Sequence, residues 1–196
     1  MNNQILFSSR NQQWATRTSD FLNIQEALGR KYNLDPCAEA ETAKCPIYIT
    51  KEEDTFNTGW FRKTNGSAIQ YFSNPPYGRD MPKFVEHFME QSKKDGIVGD
   101  VLIPARTDTK LFHDIILPNA SKISFIKGRL TFGTDEYWEW IWEQPTMIDI
   151  NGTNKVNTLY GKHGKMNPAP FPSMVISFNG DGKGLEFGTL DFKENK

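Results

Sequence analysis

The apolar residues of this chain fall into short runs whose spacing alternates between that of a helix and that of a strand. They recur on one helical face over residues 20–32 and again over residues 82–94, where Pro82 suits a first helical turn. Residues 109–116 predict a third helix. Runs typical of buried strands lie at residues 32–34, 47–50, 68–73, 97–103, 123–132 and 174–178.

Helices that alternate with strands predict an α/β fold in three layers, with helices on both faces of a mixed, mostly parallel sheet. We expect the strand at residues 174–178 to be antiparallel to its neighbours. Residues 133–172 interrupt the alternation, because they are rich in Trp, Gly, Asn and Pro, and they predict an insertion or long loop between the last two strands. A chain of 196 residues suits one domain, so we expect residues 1–196 to form it.

Composition limits the class of protein. With 37% hydrophobic and 24% charged residues, the chain reads as neither disordered nor membrane-embedded. The amino terminus lacks the basic-then-apolar order of a signal peptide, and Cys37 and Cys45 are too few for a disulfide framework or a zinc site. These two features predict a cytoplasmic, reduced protein. The histidines show no metal-ligand spacing, so we expect no metal. A net charge of −1 means that a nucleic-acid partner must be held by basic residues gathered on one face.

The tetrapeptide Asn74-Pro75-Pro76-Tyr77 follows the apolar strand at residues 68–73, and its two prolines must end that strand. An exocyclic amine of a base is a weak nucleophile, since its lone pair is delocalised into the ring. The Asn74 side-chain oxygen and the Pro75 carbonyl could bind its two N–H groups and direct the lone pair at a methyl donor. Tyr77 could stack on a base flipped out of the duplex. A turn with a nearby aromatic residue is the other interpretation, although α/β sheets bind ligands at the carboxyl ends of their strands.

Several stretches between residues 14 and 132, well over half of the chain, occur in the order and at the spacing of one protein family. They are Trp14-Ala15-Thr16, Leu34-Asp35-Pro36-Cys37-Ala38, Asp54 followed by Trp60, Asn74-Pro75-Pro76-Tyr77-Gly78, Pro104-Ala105-Arg106-Thr107-Asp108-Thr109 and Gly128-Arg129-Leu130-Thr131-Phe132. By this ordered set the chain resembles the phage-type, Dam-like DNA N6-adenine methyltransferase family. It departs from the family at Arg17, where a proline is usual, and in lacking a glycine-rich turn after Asp35.

The resemblance implies a Rossmann-like methyltransferase fold, S-adenosylmethionine as the methyl donor and N6 of adenine in DNA as the acceptor. The catalytic motif would be Asn74, Pro75, Pro76 and Tyr77. The cofactor-binding residues would be Trp14, Thr16, Asp35, Cys37, Asp54 and Asn74. Asp35 would lie near the methionine or ribose end of the cofactor, and a turn-forming role is its alternative. A phage or prophage protein in the bacterial cytoplasm is expected, and the sequence carries no prediction of oligomeric state.

Basic residues follow or lie near the predicted strand ends, where a DNA backbone could pass. The candidates for phosphate contacts are Arg79, Arg106, Lys110 and Arg129, with Lys127 beside them. Ordinary solvated charges are the alternative interpretation of each. In the insertion, the candidates to reach a DNA groove are Lys155, Lys162, His163 and Lys165. Trp138, Trp140 and Trp142 alternate as on a strand, which is either packed or presents a stacking surface.

Other methyltransferases that act on a nitrogen atom use a tetrapeptide of the same kind. An N4-cytosine methyltransferase more often carries serine where Asn74 stands, and a protein-glutamine methyltransferase usually has the glycine-rich cofactor loop that this chain lacks. A catalytically inactive module that binds nucleic acid or protein is an alternative of a different class. Cytosine-C5 methylation needs an attacking cysteine, conventionally after a proline, whereas Cys45 precedes Pro46.

Overall fold

Seven strands make up the main sheet of the protein. The computed structural model describes residues 14–133, 145, 147–156, 168–180 and 184–192. The strands are β1 (Leu34–Asp35), β2 (Ile47–Tyr48), β3 (Ile69–Ser73), β4 (Ile97–Pro104), β5 (Lys122–Ile126), β6 (Met147–Ile150), β7 (Thr153–Val156), β8 (Ser173–Phe178) and β9 (Glu186–Leu190). The helices are α1 (Thr18–Ala27), α2 (Trp60–Lys63), α3 (Met81–Ser92) and α4 (Leu117–Asn119), the last preceded by a π-helical segment, Leu111–Ile116.

The strand order of the main sheet is β2-β1-β3-β4-β8-β5-β9. Strands β2, β1, β3 and β4 pair in parallel, β8 is antiparallel to both β4 and β5, and β9 is parallel to β5. The expected mixed, mostly parallel sheet with an antiparallel strand at residues 174–178 is confirmed. From β1 the chain runs outward to β2 and then returns to β3 on the other side of β1, so the direction of winding reverses between β1 and β3.

Helices cover both faces of this sheet. Side chains alternate between the faces along a strand, and successive residues of β4 accordingly join different hydrophobic clusters. Val101 is buried in a cluster that includes Phe88 of α3, whereas Leu102 is buried with Ile24 of α1. The predicted three-layer α/β arrangement is therefore confirmed. Among the described residues, no helix is long and apolar enough to cross a membrane.

Several predicted boundaries were wrong. Helix α1 ends at Ala27 rather than at residue 32, and Gly29 just beyond it takes a left-handed conformation with φ of 62°. Strand β5 ends at Ile126 rather than at residue 132. Strand β9 was not predicted, because its residues are mostly exposed and give a weak pattern. The expected insertion contains the antiparallel hairpin β6-β7, whereas Lys162, His163, Lys165 and the three tryptophans of residues 138–142 lie outside the described residues.

Candidate active site

A cleft of about 910 Å³ opens beside the carboxyl ends of β1, β2 and β3. Its lining comes from the segments that follow these strands and from the chain before α1. It lies where the direction of winding reverses, which is the place where open α/β sheets bind ligands. The lining includes every residue predicted to bind the cofactor, namely Trp14, Thr16, Asp35, Cys37, Asp54 and Asn74. The sequence thus identified residues that the fold brings into one cavity.

The side chain of Asn74, directly after β3, forms hydrogen bonds through its amide nitrogen but not through its amide oxygen among the described residues. Its Nδ2 group donates hydrogen bonds to the main-chain carbonyl of Trp14 and to Oγ1 of Thr16, the latter at 2.9 Å. Its Oδ1 atom is buried and has no hydrogen-bond partner among the described residues. A buried acceptor without a donor is unusual in proteins. Asn74 lines the cleft, so a ligand N–H group that reached this oxygen would satisfy it.

Tyr77 lies in a cluster of four aromatic rings next to the cleft. Its near-parallel neighbour is Trp14, and Phe132 and Phe171 meet its ring at 88° and 79°, with centroids 6.1 and 5.5 Å away. Tyr77 is 7% exposed, and burial raises the pKa of its hydroxyl, which has no hydrogen-bond partner among the described residues. Since Trp14 both lines the cleft and contacts Tyr77, the aromatic cluster adjoins the cavity.

Asp35 places a buried carboxylate at the end of β1. It is 4% exposed, and burial raises its pKa to about 7. The main-chain N–H groups of Lys44 and Cys37 donate to its two oxygens at 3.2 and 3.3 Å, which lowers the pKa again in part. Asp35 therefore anchors the turn that follows β1, as its alternative interpretation held, and also lines the cleft.

Asp54 lies on a strained loop after β2, with φ of 58° in the left-handed region that non-glycine residues rarely adopt. Its Oδ1 accepts a hydrogen bond from the main-chain N–H of Phe56 at 3.1 Å, and its Oδ2 accepts one from Asn57 at 2.6 Å. Phe56 is 42% exposed, lines the cleft and packs against Phe84 of α3 with ring centroids 4.8 Å apart. The loop thus presents a carboxylate and a partly open aromatic ring.

Neither cysteine is suited to nucleophilic attack. Burial raises the pKa of Cys37 to about 12, and nearby Asp35 contributes to that rise. Burial also raises the pKa of Cys45. The thiolate is the reactive form, so both side chains stay protonated near neutral pH. Among the described residues, no group of three or more His, Cys, Asp or Glu side chains is placed to hold a metal ion.

The predicted DNA-contacting residues all lie at the edge of the sheet that holds Asn74. Arg79 follows β3, Arg106 and Lys110 follow β4, and Arg129 follows β5, and these three strands run in the same direction. All four side chains are exposed. None of these four forms an ion pair within the described part of the chain, whereas Lys127, the fifth candidate, is paired with Asp191 at 2.7 Å. These four residues are called the exposed basic edge, and they follow strand ends at the side of the sheet where the cleft opens.

Sequence reasoning missed Lys44 and Phe56 in the cleft and Phe171 beside Tyr77. Lys44 and Phe56 lie in the segments after β1 and β2, so the rule that ligands bind beyond strand ends could have found them. Phe171 precedes β8, and only the pairing of β8 between β4 and β5 brings it to the site. No local signal in the sequence indicated that contact.

The sheet and the cleft at its winding reversal define an α/β protein with a ligand-sized cavity beside Asn74, whose buried amide oxygen has no hydrogen-bond partner among the described residues. A sequence model of the family "DNA N-6-adenine-methyltransferase (Dam)" matches residues 4–167, and the chain belongs to this family. A similar protein is the DNA N-6-adenine-methyltransferase of Haemophilus phage HP1 (strain HP1c1). It is 29% identical over 127 residues, which cover 64% of this chain and 69% of that protein. The resemblance to the phage-type, Dam-like family is confirmed.

Proposed function

We propose that this protein transfers a methyl group from S-adenosylmethionine to N6 of adenine at specific sites in DNA, by direct in-line transfer at Asn74-Pro75-Pro76-Tyr77. The observation that carries the proposal is the Asn74 amide, whose nitrogen is bound by the chain before α1 while its buried oxygen has no partner in the part of the chain that the structure describes. Membership in the Dam family supports adenine as the base and DNA as the substrate. The fold is then of the Rossmann-like methyltransferase class.

The cleft suits S-adenosylmethionine in size and in charge. Ligand pockets commonly measure roughly 300–1,000 Å³, and this cleft lies within that range. Asp35, whose pKa is about 7, and Lys44 offer a carboxyl and an ammonium group to the zwitterionic amino-acid end of the cofactor, with Trp14, Thr16 and Cys37 as further contacts. A carboxylate has about four lone-pair sites, so Asp54 can also accept a hydrogen bond from a ribose hydroxyl. When bound, the cofactor supplies a methyl group on a positively charged sulfur.

Asn74 and Pro75 orient the amine. The Asn74 Oδ1 atom and the Pro75 carbonyl accept hydrogen bonds from the two N–H groups of adenine N6, which favours a tetrahedral nitrogen with its lone pair directed at the methyl carbon. The nitrogen would take the methyl group as the methyl–sulfur bond breaks, with the bonding electrons left on sulfur and S-adenosylhomocysteine as the leaving group. The positively charged nitrogen would then release a proton to solvent. Tyr77 stacks on the base after the base is flipped out of the duplex, while Pro76 fixes the turn.

DNA binds along the exposed basic edge. Arg79, Arg106, Lys110 and Arg129 contact phosphates there, and each contact adds roughly one unit to the negative slope of log affinity against log salt. The segment at residues 133–172, within a methyltransferase domain spanning residues 1–196, contributes to the choice of target sequence, with Lys155 exposed on β7. A phage or prophage protein that acts in the bacterial cytoplasm fits the phage relative.

The experiment that tests the proposal is methyl transfer from labelled S-adenosylmethionine to unmethylated DNA, followed by nucleoside analysis. We expect N6-methyladenine with the wild-type protein and none with Asn74→Ala. The matched control is Asn23→Ala on α1, which removes the same kind of side chain outside the cleft and should keep full activity. Circular dichroism establishes that both variants fold.

The other outcomes separate the alternatives. Formation of N4-methylcytosine would keep the mechanism and replace the base. Transfer to protein glutamine but not to DNA would replace the substrate class. A folded wild-type protein that methylates neither substrate and does not bind the cofactor product S-adenosylhomocysteine would be an inactive binding module, whereas measurable binding would argue against that alternative.

A further inference from the structure

We propose that Thr16 is a positioning residue that sets the orientation of the catalytic amide of Asn74. The inference rests on the proposed function and extends it to a residue 58 positions earlier in the chain. Thr16 is 3% exposed, and its Oγ1 accepts a hydrogen bond from Asn74 Nδ2 at 2.9 Å. The sequence resemblance implied only a cofactor contact for Thr16.

The Trp14 carbonyl and the Thr16 hydroxyl determine whether the NH₂ group or the oxygen of the Asn74 amide faces them. The main-chain carbonyl of Trp14 has no hydrogen to donate, so it can face the NH₂ group of Asn74 but not its oxygen. The Thr16 hydroxyl takes the second amide hydrogen. With both hydrogens bound on this side, Oδ1 must point away from the chain before α1. This oxygen, on the side of the amide away from the chain before α1, is the buried atom that lacks a partner among the described residues.

An Asn74 amide rotated by 180°, with its NH₂ group and oxygen exchanged, would not support catalysis. It would present two N–H donors to an adenine amine that is itself a donor, and no acceptor would remain to orient the nitrogen lone pair. The terminal torsion of an asparagine side chain is soft and has two broad minima, so the amide needs an external constraint. Thr16 and the Trp14 carbonyl supply that constraint before substrate arrives.

The same geometry distinguishes asparagine from aspartate at position 74. An Asn74→Asp carboxylate would place an oxygen against the Trp14 carbonyl, where neither atom carries a hydrogen. The Thr16 hydroxyl could rotate to donate to that carboxylate, but the carbonyl cannot. The chain before α1 therefore fits the asparagine form of the motif, and we expect Asn74→Asp to lose activity even though its oxygens are acceptors.

The kinetic test compares Thr16→Val, which keeps the shape and removes the acceptor, with Thr16→Ser, which keeps the hydroxyl. We expect kcat for methyl transfer to fall by about 10- to 100-fold in Thr16→Val, the range of one to two hydrogen bonds, with KM for DNA nearly unchanged and kcat restored in Thr16→Ser. The matched control is Thr189→Val, an exposed threonine of β9.

A second measurement does not depend on activity. The side-chain NH₂ resonances of Asn74, identified by their loss in Asn74→Ala, should be protected from hydrogen exchange in the wild type and lose protection in Thr16→Val. If Thr16→Val does not fold, Thr16→Ala removes the same acceptor with a smaller side chain. Unchanged protection, or a loss of S-adenosylhomocysteine affinity with kcat intact, would overturn the positioning role. A wild-type protein that methylates no DNA would overturn the proposed function instead, and the resonances would still decide the orientation of the amide.

Discussion

The rings of Trp14 and Tyr77 lie nearly parallel, with their planes 22° apart and their centroids 6.5 Å apart. Phe171 meets both rings edge-on, with centroids 5.4 Å from Trp14 and 5.5 Å from Tyr77. The ring that is proposed to stack on a flipped base is therefore covered in the protein alone. If a base stacks on Tyr77 as proposed, these rings must first separate, and the chain before α1 and the segment before β8 would then move when substrate binds.

The first prediction distinguishes the contribution of the Tyr77 ring from that of its hydroxyl. The hydroxyl is buried without a hydrogen-bond partner among the described residues, and such a group costs about 1–3 kcal/mol. We expect Tyr77→Phe to be at least as stable as the wild type and to keep its activity. Tyr77→Ala removes the stacking surface, worth about 1–3 kcal/mol per base, and should lower kcat/KM by roughly 5- to 150-fold. Thermal melting and the methyl-transfer assay test both variants, and an inactive Tyr77→Phe would contradict a pure stacking role.

The second prediction concerns the pH dependence of stability at Asp35. Burial raises its pKa to about 7 in the folded protein, from 3.8 in the unfolded chain. The folded state therefore holds this proton more tightly. The stabilisation that the proton gives is complete below about pH 3.8 and is lost as pH rises toward 7.

Asp35→Asn should remove this dependence. The free energy of unfolding of the variant, relative to the wild type, should rise between pH 5 and pH 8. Urea denaturation at several pH values measures the difference directly, and subtraction cancels the other titrating groups. A difference that does not change with pH would mean that the Asp35 carboxyl titrates near its ordinary value.

The third prediction tests the packing of β3 against β4. Gly99 lies opposite Tyr71 in the parallel register, and a Cβ atom on Gly99 would lie 2.3 Å from the Tyr71 ring. The ring cannot withdraw easily, because its hydroxyl is 2.9 Å from Ser92 Oγ. We expect Gly99→Ala to cost about 1–3 kcal/mol of stability through overpacking.

The control for Gly99→Ala is Gly59→Ala, where the nearest atom to a new Cβ is 3.7 Å away. It should change stability little. Equal urea midpoints for the two variants would show that Tyr71 moves aside without cost.

The fourth prediction concerns a buried charge on β4. Asp100 is fully buried and accepts hydrogen bonds from Arg30 Nε at 3.0 Å, from the Tyr32 hydroxyl at 2.8 Å and from Ser177. Arg30→Met would leave this carboxylate without its cation, which should cost about 3–5 kcal/mol. Adding Asp100→Asn should recover part of the loss, because it removes the unpaired charge. Urea denaturation of the single and double variants gives the coupling, and additive losses would rule it out.

The sequence determined those features that depend on neighbouring residues. Apolar runs located the core strands, and Pro75 and Pro76 predicted the end of β3, because proline cannot continue a ladder. The residues predicted for the cofactor proved to share one cleft, since the carboxyl ends of parallel strands meet at one edge of a sheet. The ends of α1 and β5 were predicted less well, because terminal residues follow weak signals that tertiary packing overrides.

Only the tertiary structure decided the contacts between distant segments. The pairing of β9 with β5 uses exposed residues, and backbone hydrogen bonds between strands leave no pattern in the side chains. The bond from Asn74 to Thr16 joins residues 58 positions apart, and the packing of Phe171 on Tyr77 depends on where β8 inserts. The sequence determined which groups are present at the site. Contacts between segments distant in the chain determined which way the Asn74 amide faces and what covers the Tyr77 ring.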